Sequence, residues 1–288
     1  MHSEVIDEGS WILVYIDSKR RKVLRVGRGK AFTSDKGSIE LGRIIGMSYG
    51  AEIMTSVGVK AHVYRPSITD LIYSTFSRPT QVIYPKDAGY VVLVLDISPG
   101  KKVLEIGMGS GAMTAYMANL VRPDGKIYAY EVREDVANVA IENLERIGLR
   151  DYVEVKMRDA SQGVDERDVD AAFIDIGDPW RVVNVVFEAL KPGCQAAFFI
   201  PTFEQVSKLY SSLKSHGGWG DIRAVELIER PIDLKEGAIR PSTRMIGHTG
   251  YIVIARKHLK GGSANPYVVK EHQGEQDPRG IIAIRKRS

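Results

Sequence analysis

A doubly wound α/β sheet behind a small N-terminal β-rich domain is the fold class the sequence predicts, on three observations. The stretch Val103-Leu104-Glu105-Ile106-Gly107-Met108-Gly109-Ser110-Gly111 reads as a strand covered on both faces that runs into a glycine turn and opens a helix over 112–121. After that turn, strand-like and helix-like segments alternate as a parallel sheet requires. Before it, over residues 1–65, short apolar runs are broken by turn residues, the pattern of a β-rich unit. The expected organisation is therefore a β-rich domain over 1–65, the α/β domain with a connecting helix over 66–257, and a polar, basic-ended tail over 258–288.

Composition narrows the class. A chain of 288 residues with 44% hydrophobic content can bury a large core and a smaller one, which excludes a disorder-dominated protein. The 40 Lys and Arg against 36 Asp and Glu give a net charge of +4, which permits a polyanionic partner without demanding one. Cys194 is the only cysteine, so an intramolecular disulfide is excluded, and the six histidines show no metal-ligand spacing with it. Acidic Glu4, Asp7 and Glu8 stand where a signal peptide would be basic, and no apolar run reaches membrane-spanning length. A cytoplasmic protein without a membrane segment is expected.

In chain order, strands are predicted over 11–16 and 23–26, with turns at Gly27, Gly29 and Gly37. From Lys19 to Lys30 the chain has seven basic residues (Lys19, Arg20, Arg21, Lys22, Arg25, Arg28, Lys30) and no acidic one, either a solvated hairpin or a surface for phosphates. A connecting helix over 66–76 has Ser67 as its N-cap, and a second helix over 87–95 leads to the glycine turn. Beyond the turn follow a strand over 126–131, a helix over 136–147 closed by Gly148, and strands over 153–157 and 171–174. A helix over 181–190 stopped by Pro192-Gly193, a strand over 196–200 and a helix over 203–214 come next. The last strands, over 222–228 and 251–255, are expected to pair antiparallel.

Two ligands compete for the glycine turn, because Gly107-x-Gly109-x-x-Ala112 also satisfies the loose dinucleotide fingerprint. Glu105 favours S-adenosylmethionine: its charge would oppose a pyrophosphate and pair with an ammonium group. Three glycines in alternation let the backbone turn sharply and let a ligand lie against Gly107, Met108, Gly109, Ser110, Gly111 and Ala112 without meeting a Cβ atom. Ligands of such sheets lie beyond the carboxyl ends of the strands, and here those ends are acidic. Glu131, next to Val132, is placed to accept both ribose hydroxyls, Asp159, next to Ala160, to accept from the adenine amino group, and Asp175 ends the fourth strand. Four acids at four successive strand ends make the set the signal.

Asp175 opens Asp175-Ile176-Gly177-Asp178-Pro179-Trp180. Trp180 is either a face for an extruded nucleobase or a core anchor. Asp178 is a rival to Asp175, although its place before Pro179 reads better as a helix N-cap.

Together with the glycine turn, three further segments resemble the tRNA (adenine-N1)-methyltransferases that modify adenine 58 of the T-loop, in their archaeal and bacterial homotetrameric form. They are Thr80-Gln81-Val82-Ile83-Tyr84-Pro85-Lys86-Asp87, the Asp175–Trp180 segment, and Arg240-Pro241 through Arg244-Met245-Ile246-Gly247-His248-Thr249-Gly250-Tyr251. The glycine turn is common to most methyltransferases of the class I, Rossmann-like fold; the other three segments are specific. The resemblance spans residues 8–257. It implies a class I S-adenosylmethionine-dependent methyltransferase acting on tRNA, with adenine 57 as a second target in archaeal relatives. It also implies Asp175 as the catalytic aspartate, Gln81 and Tyr84 lining the cofactor and adenine pockets, and Glu105, Glu131 and Asp159 holding the cofactor. His248 faces the substrate or packs in the Gly247/Gly250 turn. The family often has proline where this chain has Gly177, which would leave the turn looser here.

Two other readings differ in class. A methyltransferase with a protein or small-molecule acceptor keeps the cofactor, and the β-rich domain and basic hairpin speak against it. A noncatalytic RNA-binding subunit would show degraded glycines or a missing strand-end acid, and neither is seen. An NAD-dependent dehydrogenase would bind nicotinamide and ignore S-adenosylmethionine.

Overall fold

Apolar alternation through the first sixty residues folds into antiparallel pairs. β1 (Trp11–Tyr15) lies between β2 (Arg21–Arg25) and β6 (Lys60–Tyr64), with β5 (Glu52–Met54) outside β6, while β3 (Ala31–Ser34) and β4 (Gly37–Glu40) form a separate hairpin. Ile12, Val14, Phe32, Ile39 and Val63 close an apolar cluster of their own. The computed structural model describes residues 5–259. The predicted tail from residue 260 onward lies outside the described residues.

Three of the seven basic residues between β1 and β3 pair with acids. Arg20 bonds Asp17 and Asp35, Arg21 reaches Asp70, Arg28 pairs with Glu8, and the Arg25 Nε donates to the Gly9 carbonyl.

α1 (Ile68–Thr75) begins with the predicted cap: Ser67 Oγ accepts from the Asp70 amide at 3.1 Å while Asp70 Oδ2 accepts from the Ser67 amide at 3.0 Å. α2 (Pro85–Val94) starts two residues earlier than expected, because Pro85 sits at the first helical position, where its missing N–H costs nothing. β7 (Lys102–Ile106), α3 (Ala112–Val121), β8 (Lys126–Tyr130), α4 (Glu134–Arg146), β9 (Val153–Lys156) and β10 (Val169–Ile174) then alternate as predicted. α5 (Val183–Ala189), β11 (Leu190–Ile200), α6 (Phe203–His216), β12 (Trp219–Glu226), a small hairpin of β13 (Ile232–Asp233) and β14 (Arg240–Pro241), and β15 (Tyr251–Lys257) complete the chain.

The main sheet has the order β12-β15-β11-β10-β7-β8-β9; β7 to β11 run parallel, and β15 pairs antiparallel with β11 and β12. Because side chains alternate across a strand, Val103, Ala171 and Phe173 join the core under α1 to α4, whereas Leu104, Ala172 and Ile174 join the core under α5 and α6. The chain winds outward from β7 through β8 and β9, then returns to place β10 on the other side of β7. That reversal opens a crevice at the carboxyl ends of β7 and β10.

A second predicted boundary moves further. The helix expected over 181–190 is a single tight turn over Pro179–Val182 followed by α5, and Leu190 already belongs to β11, paired with Val169. Pro192-Gly193 therefore sits inside an irregular strand whose register shifts before Ala171 pairs with Gln195. Burial of Leu190 wins over another helical residue, and Lys257 Nζ donates to the Phe187 and Leu190 carbonyls at 2.7 and 2.6 Å.

Candidate active site

The crevice at the sheet's switch point is a cleft of about 820 Å³ whose walls include Tyr84, Met108, Glu131, Asp159, Asp175 and His248. That size suits a small ligand bearing several polar groups. Gln81, Gly107, Gly109, Ser110, Ala112, Val132 and Ala160 also line it, so the strand ends bring most of the predicted site together. Glu105, Gly111 and Trp180 are not on its walls.

The glycines are needed for a reason other than ligand clearance. Gly107 has φ +90°, and a Cβ there would stand 2.1 Å from the Asp175 carbonyl oxygen, so the turn packs directly against the end of β10. A Cβ at Gly111 would meet Ala140 of α4 at 3.2 Å, which places its role in helix packing. The turn's own amides are occupied: those of Gly107, Gly109 and Gly111 donate to the Tyr130 carbonyl, Glu131 Oε2 and the Met108 carbonyl at 2.9, 3.0 and 3.0 Å. The Gly109 amide is thus already engaged by a carboxylate.

Glu131, 5% exposed, is fixed on both oxygens, since Oε1 accepts from the amides of Val132 and Arg133 at 3.1 Å each. Two amides fill Oε1, and Oε2, which accepts only the Gly109 amide, keeps a lone pair for a hydroxyl donor. Asp159 Oδ1 accepts from the Ser161 amide at 2.8 Å, and Arg181 stands 3.7 Å from Oδ2; the amide bond, more than the guanidinium, holds this carboxyl below the usual range.

Asp175 differs. Its amide donates to the Ile106 carbonyl, but its carboxylate has no hydrogen-bond donor among the described residues. Asp175 is itself exposed on the cleft side, and the protein packed behind its carboxyl, by desolvating it, and the nearby Glu131 charge push its pKa up to about 6. Water in the open cleft opposes that desolvation.

Glu105 lies beneath the floor, fully buried. Oε2 accepts from Thr114 Oγ1 at 2.7 Å, and Oε1 is buried without a partner. Burial pushes its pKa up to about 8 against the opposing Thr114 bond, and the charges of Asp175 and Glu131 push the same way. A cation in the cleft would favour its ionised form through the field, without the direct contact the sequence suggested.

Three other expectations change. Trp180 is half-buried outside the cleft, with the Lys208 ammonium 3.8 Å from its ring centroid, so it is neither a fully buried anchor nor a face turned to the cleft. Asp178 occupies the position before Pro179, but its carboxylate pairs with Arg181 at 3.0 Å and caps no amide. His248 lines the cleft with both ring nitrogens engaged, Nδ1 to Glu226 Oε1 at 2.6 Å and Nε2 to the Pro201 carbonyl at 2.8 Å. Two acceptors around one ring suit the doubly protonated imidazolium, and the Glu226 bond raises its pKa.

Sequence reasoning passed over a buried cluster behind this wall. Lys86 Nζ bonds both oxygens of fully buried Asp87 at 2.8 and 2.9 Å and Thr249 Oγ1 at 2.6 Å, and Thr249 donates to Asp87 at 2.8 Å. It joins the Tyr84 end of α2 to the His248 end of β15. A Lys-Asp pair opening a helix was the visible signal, but its partner lies 162 residues away.

The family model described as tRNA methyltransferase complex GCD14 subunit matches residues 61–239, most of the chain that builds this cleft. The chain belongs to that family. The Methanocaldococcus jannaschii tRNA (adenine(57)-N(1)/adenine(58)-N(1))-methyltransferase TrmI is 34% identical over 267 residues, covering 84% of this chain and 93% of the relative. The structure of the Aquifex aeolicus tRNA (m1A58) methyltransferase TrmI superposes with a TM-score of 0.77 at 30% identity, covering 89% of this chain and all of that one. A Thermotoga maritima structure described as a SAM-dependent O-methyltransferase gives 0.82 at 34% identity, over 90% of this chain and 97% of that one. Membership in this methyltransferase family, with the fold of its neighbours, makes S-adenosylmethionine the cofactor, in agreement with a cleft lined by carboxylates.

Proposed function

We propose that this member of the family transfers a methyl group from S-adenosylmethionine to N1 of adenine 58 in the tRNA T-loop, with adenine 57 as a second target. What carries the reading is Asp175: a carboxylate without a protein partner, at the switch point of a chain whose 34% identical relative is named for N1 methylation of tRNA adenines. Glu131 would hold the cofactor's ribose hydroxyls, Asp159 its adenine amino group, and Glu105 its cationic end through the field beneath the turn, with Gln81, Met108, Val132 and Ala160 closing around it.

The bound cofactor supplies an electrophilic methyl on a sulfonium centre. Methylation at N1 spreads positive charge over the ring and the exocyclic amino group of the target base. Asp175 accepts a hydrogen bond from that amino group, and the bond strengthens as charge develops, so its contribution is larger in the transition state than in the ground state. Tyr84 and the His248 wall orient the base, and the Lys86–Asp87–Thr249 cluster holds the two in register. N1 lies on the pairing edge, so the nucleotide must leave its stack, at a cost of roughly a few kcal/mol.

The segment from Ile228 to Ile246 bears on assembly. Leu234, Ile239, Ile228 and Ile232 there are 82, 70, 62 and 50% exposed, a large apolar surface to leave in water. This supports a homotetramer in which copies cover that segment and share the tRNA. A cytoplasmic location fits the single cysteine, and among the described residues no helix is long and apolar enough to cross a membrane.

The test is methyl transfer to an unmodified tRNA transcript with nucleoside analysis. 1-Methyladenosine is expected, falling away when adenine 58 is substituted, and any residue of product marks adenine 57. Cofactor binding without methyladenosine would overturn the acceptor, as would methylated protein or small-molecule oxygen.

A further inference from the structure

Three rings step outward from the cleft. His248 lines it, Tyr251 meets His248 at 4.8 Å between centroids, and Phe203 stacks on Tyr251 at 4.3 Å with planes 27° apart. Phe203 is 73% exposed, although it is among the largest apolar side chains in this part of the molecule. Nothing in its local fold demands an aromatic ring at the first position of α6.

The ring is nevertheless held in place. Thr202 Oγ1 accepts from the Gln205 amide at 3.3 Å, and Gln205 Nε2 donates to the Gly177 carbonyl at 2.9 Å, which ties the start of α6 to the loop that follows Asp175. Pro201, two residues before Phe203, accepts from His248 at 2.8 Å. A supported aromatic face beside a cleft loses little conformational entropy when a flat ligand settles on it.

We propose that Phe203, backed by Tyr251, is the stacking platform for the nucleobase adjacent to the target adenine. Extracting one base from a loop uncovers the face of its neighbour, and an aromatic side chain next to the receiving cleft replaces the lost stack whatever that neighbour's identity. Continuity with the cleft through His248 and Tyr251 favours a base of the same RNA over a second copy of this chain. The inference rests on the tRNA-methylation reading above.

The test compares the full-length protein with Phe203→Ala and Phe203→Trp. With unmodified tRNA, Phe203→Ala should raise the KM for tRNA about tenfold, the scale of one lost stacking contact. Its kcat at saturating tRNA and its affinity for S-adenosylmethionine should stay within about twofold by the same argument, and Phe203→Trp should restore the KM. A T-arm hairpin carrying 2-aminopurine on either side of the target adenine should be quenched on binding to wild type and less so by Phe203→Ala. Unchanged KM and unchanged quenching would overturn the platform. So would a fall in oligomeric mass by light scattering in Phe203→Ala, which would make the ring a subunit contact. Quenching does not depend on turnover, so a wild-type protein that makes no 1-methyladenosine would count against the proposed function while the quenching still decides the platform.

Discussion

The two walls of the cleft are built to different standards. On the wall from β7, β8 and β9, Glu131 accepts three backbone amides and Asp159 one, so both carboxylates are fixed and hydrogen-bonded before any ligand arrives. On the wall from β10, Asp175 has no donor among the described residues and an elevated pKa. A carboxylate fixed by backbone amides, with lone pairs to spare, is suited to hold a ligand in one place. A carboxylate facing the cleft with no donor among the described residues is suited to a charge that appears only during reaction. One wall binds and the other reacts, and mutations on the two should therefore fail differently.

The largest effect belongs to the reacting wall. Asp175→Asn should lower turnover about 100-fold or more, while S-adenosylmethionine affinity measured calorimetrically stays within about threefold. Near-normal turnover would pass the role to Asp178 or to orientation alone. Glu131→Ala should do the reverse: cofactor affinity falls by about 30-fold, in keeping with charge-assisted hydrogen bonds worth ~2 kcal/mol, and kcat recovers at saturating cofactor.

Glu105 sharpens the contrast, because its folded pKa of about 8 lies above the ordinary value of 4.5. A carboxyl with a raised folded pKa leaves stability intact below the unfolded pKa and subtracts from it as pH rises through the folded one. Glu105→Gln should thus stabilise the protein by ~1–3 kcal/mol at pH 8 and by little near pH 4.5, read from denaturant melts at both. The same variant should bind S-adenosylmethionine less tightly, whereas wild-type binding should tighten as pH approaches 8. The smallest effect is at Gly177, where φ is not positive and a Cβ meets nothing within 4 Å. Gly177→Ala should gain ~0.4–1 kcal/mol with turnover unchanged, and a loss of turnover would show that the loop must move.

The parallel sheet, both walls' acids and the Ser67 cap were legible in the chain because each depends on residues close in sequence: a hydrophobic run, a glycine turn, a capping box. What could not be read depends on partners far away. The glycine turn is tight because Gly107 presses on Asp175, 68 residues on, a contact invisible to a local fingerprint. Trp180 in a Pro-stiffened turn looked ready for a base, but the turn of α6 that carries Lys208 takes its face. Within the charge run from Lys19 to Lys30, the pairing of Arg20, Arg21 and Arg28 with Asp35, Asp70 and Glu8 could not be read from the sequence. Leu190 moved from helix to strand because its burial against β10 outweighs helical continuity.

The division into a binding and a reacting wall is tested most directly by the pH dependence of kcat/KM for tRNA in wild type and Asp175→Asn. An ionised Asp175 as the acceptor predicts that wild-type kcat/KM rises about tenfold per pH unit below its pKa of about 6 and levels off above it. Asp175→Asn should be slow and flat across the same range. A wild-type profile without that limb, or the same limb surviving in Asp175→Asn, would contradict it.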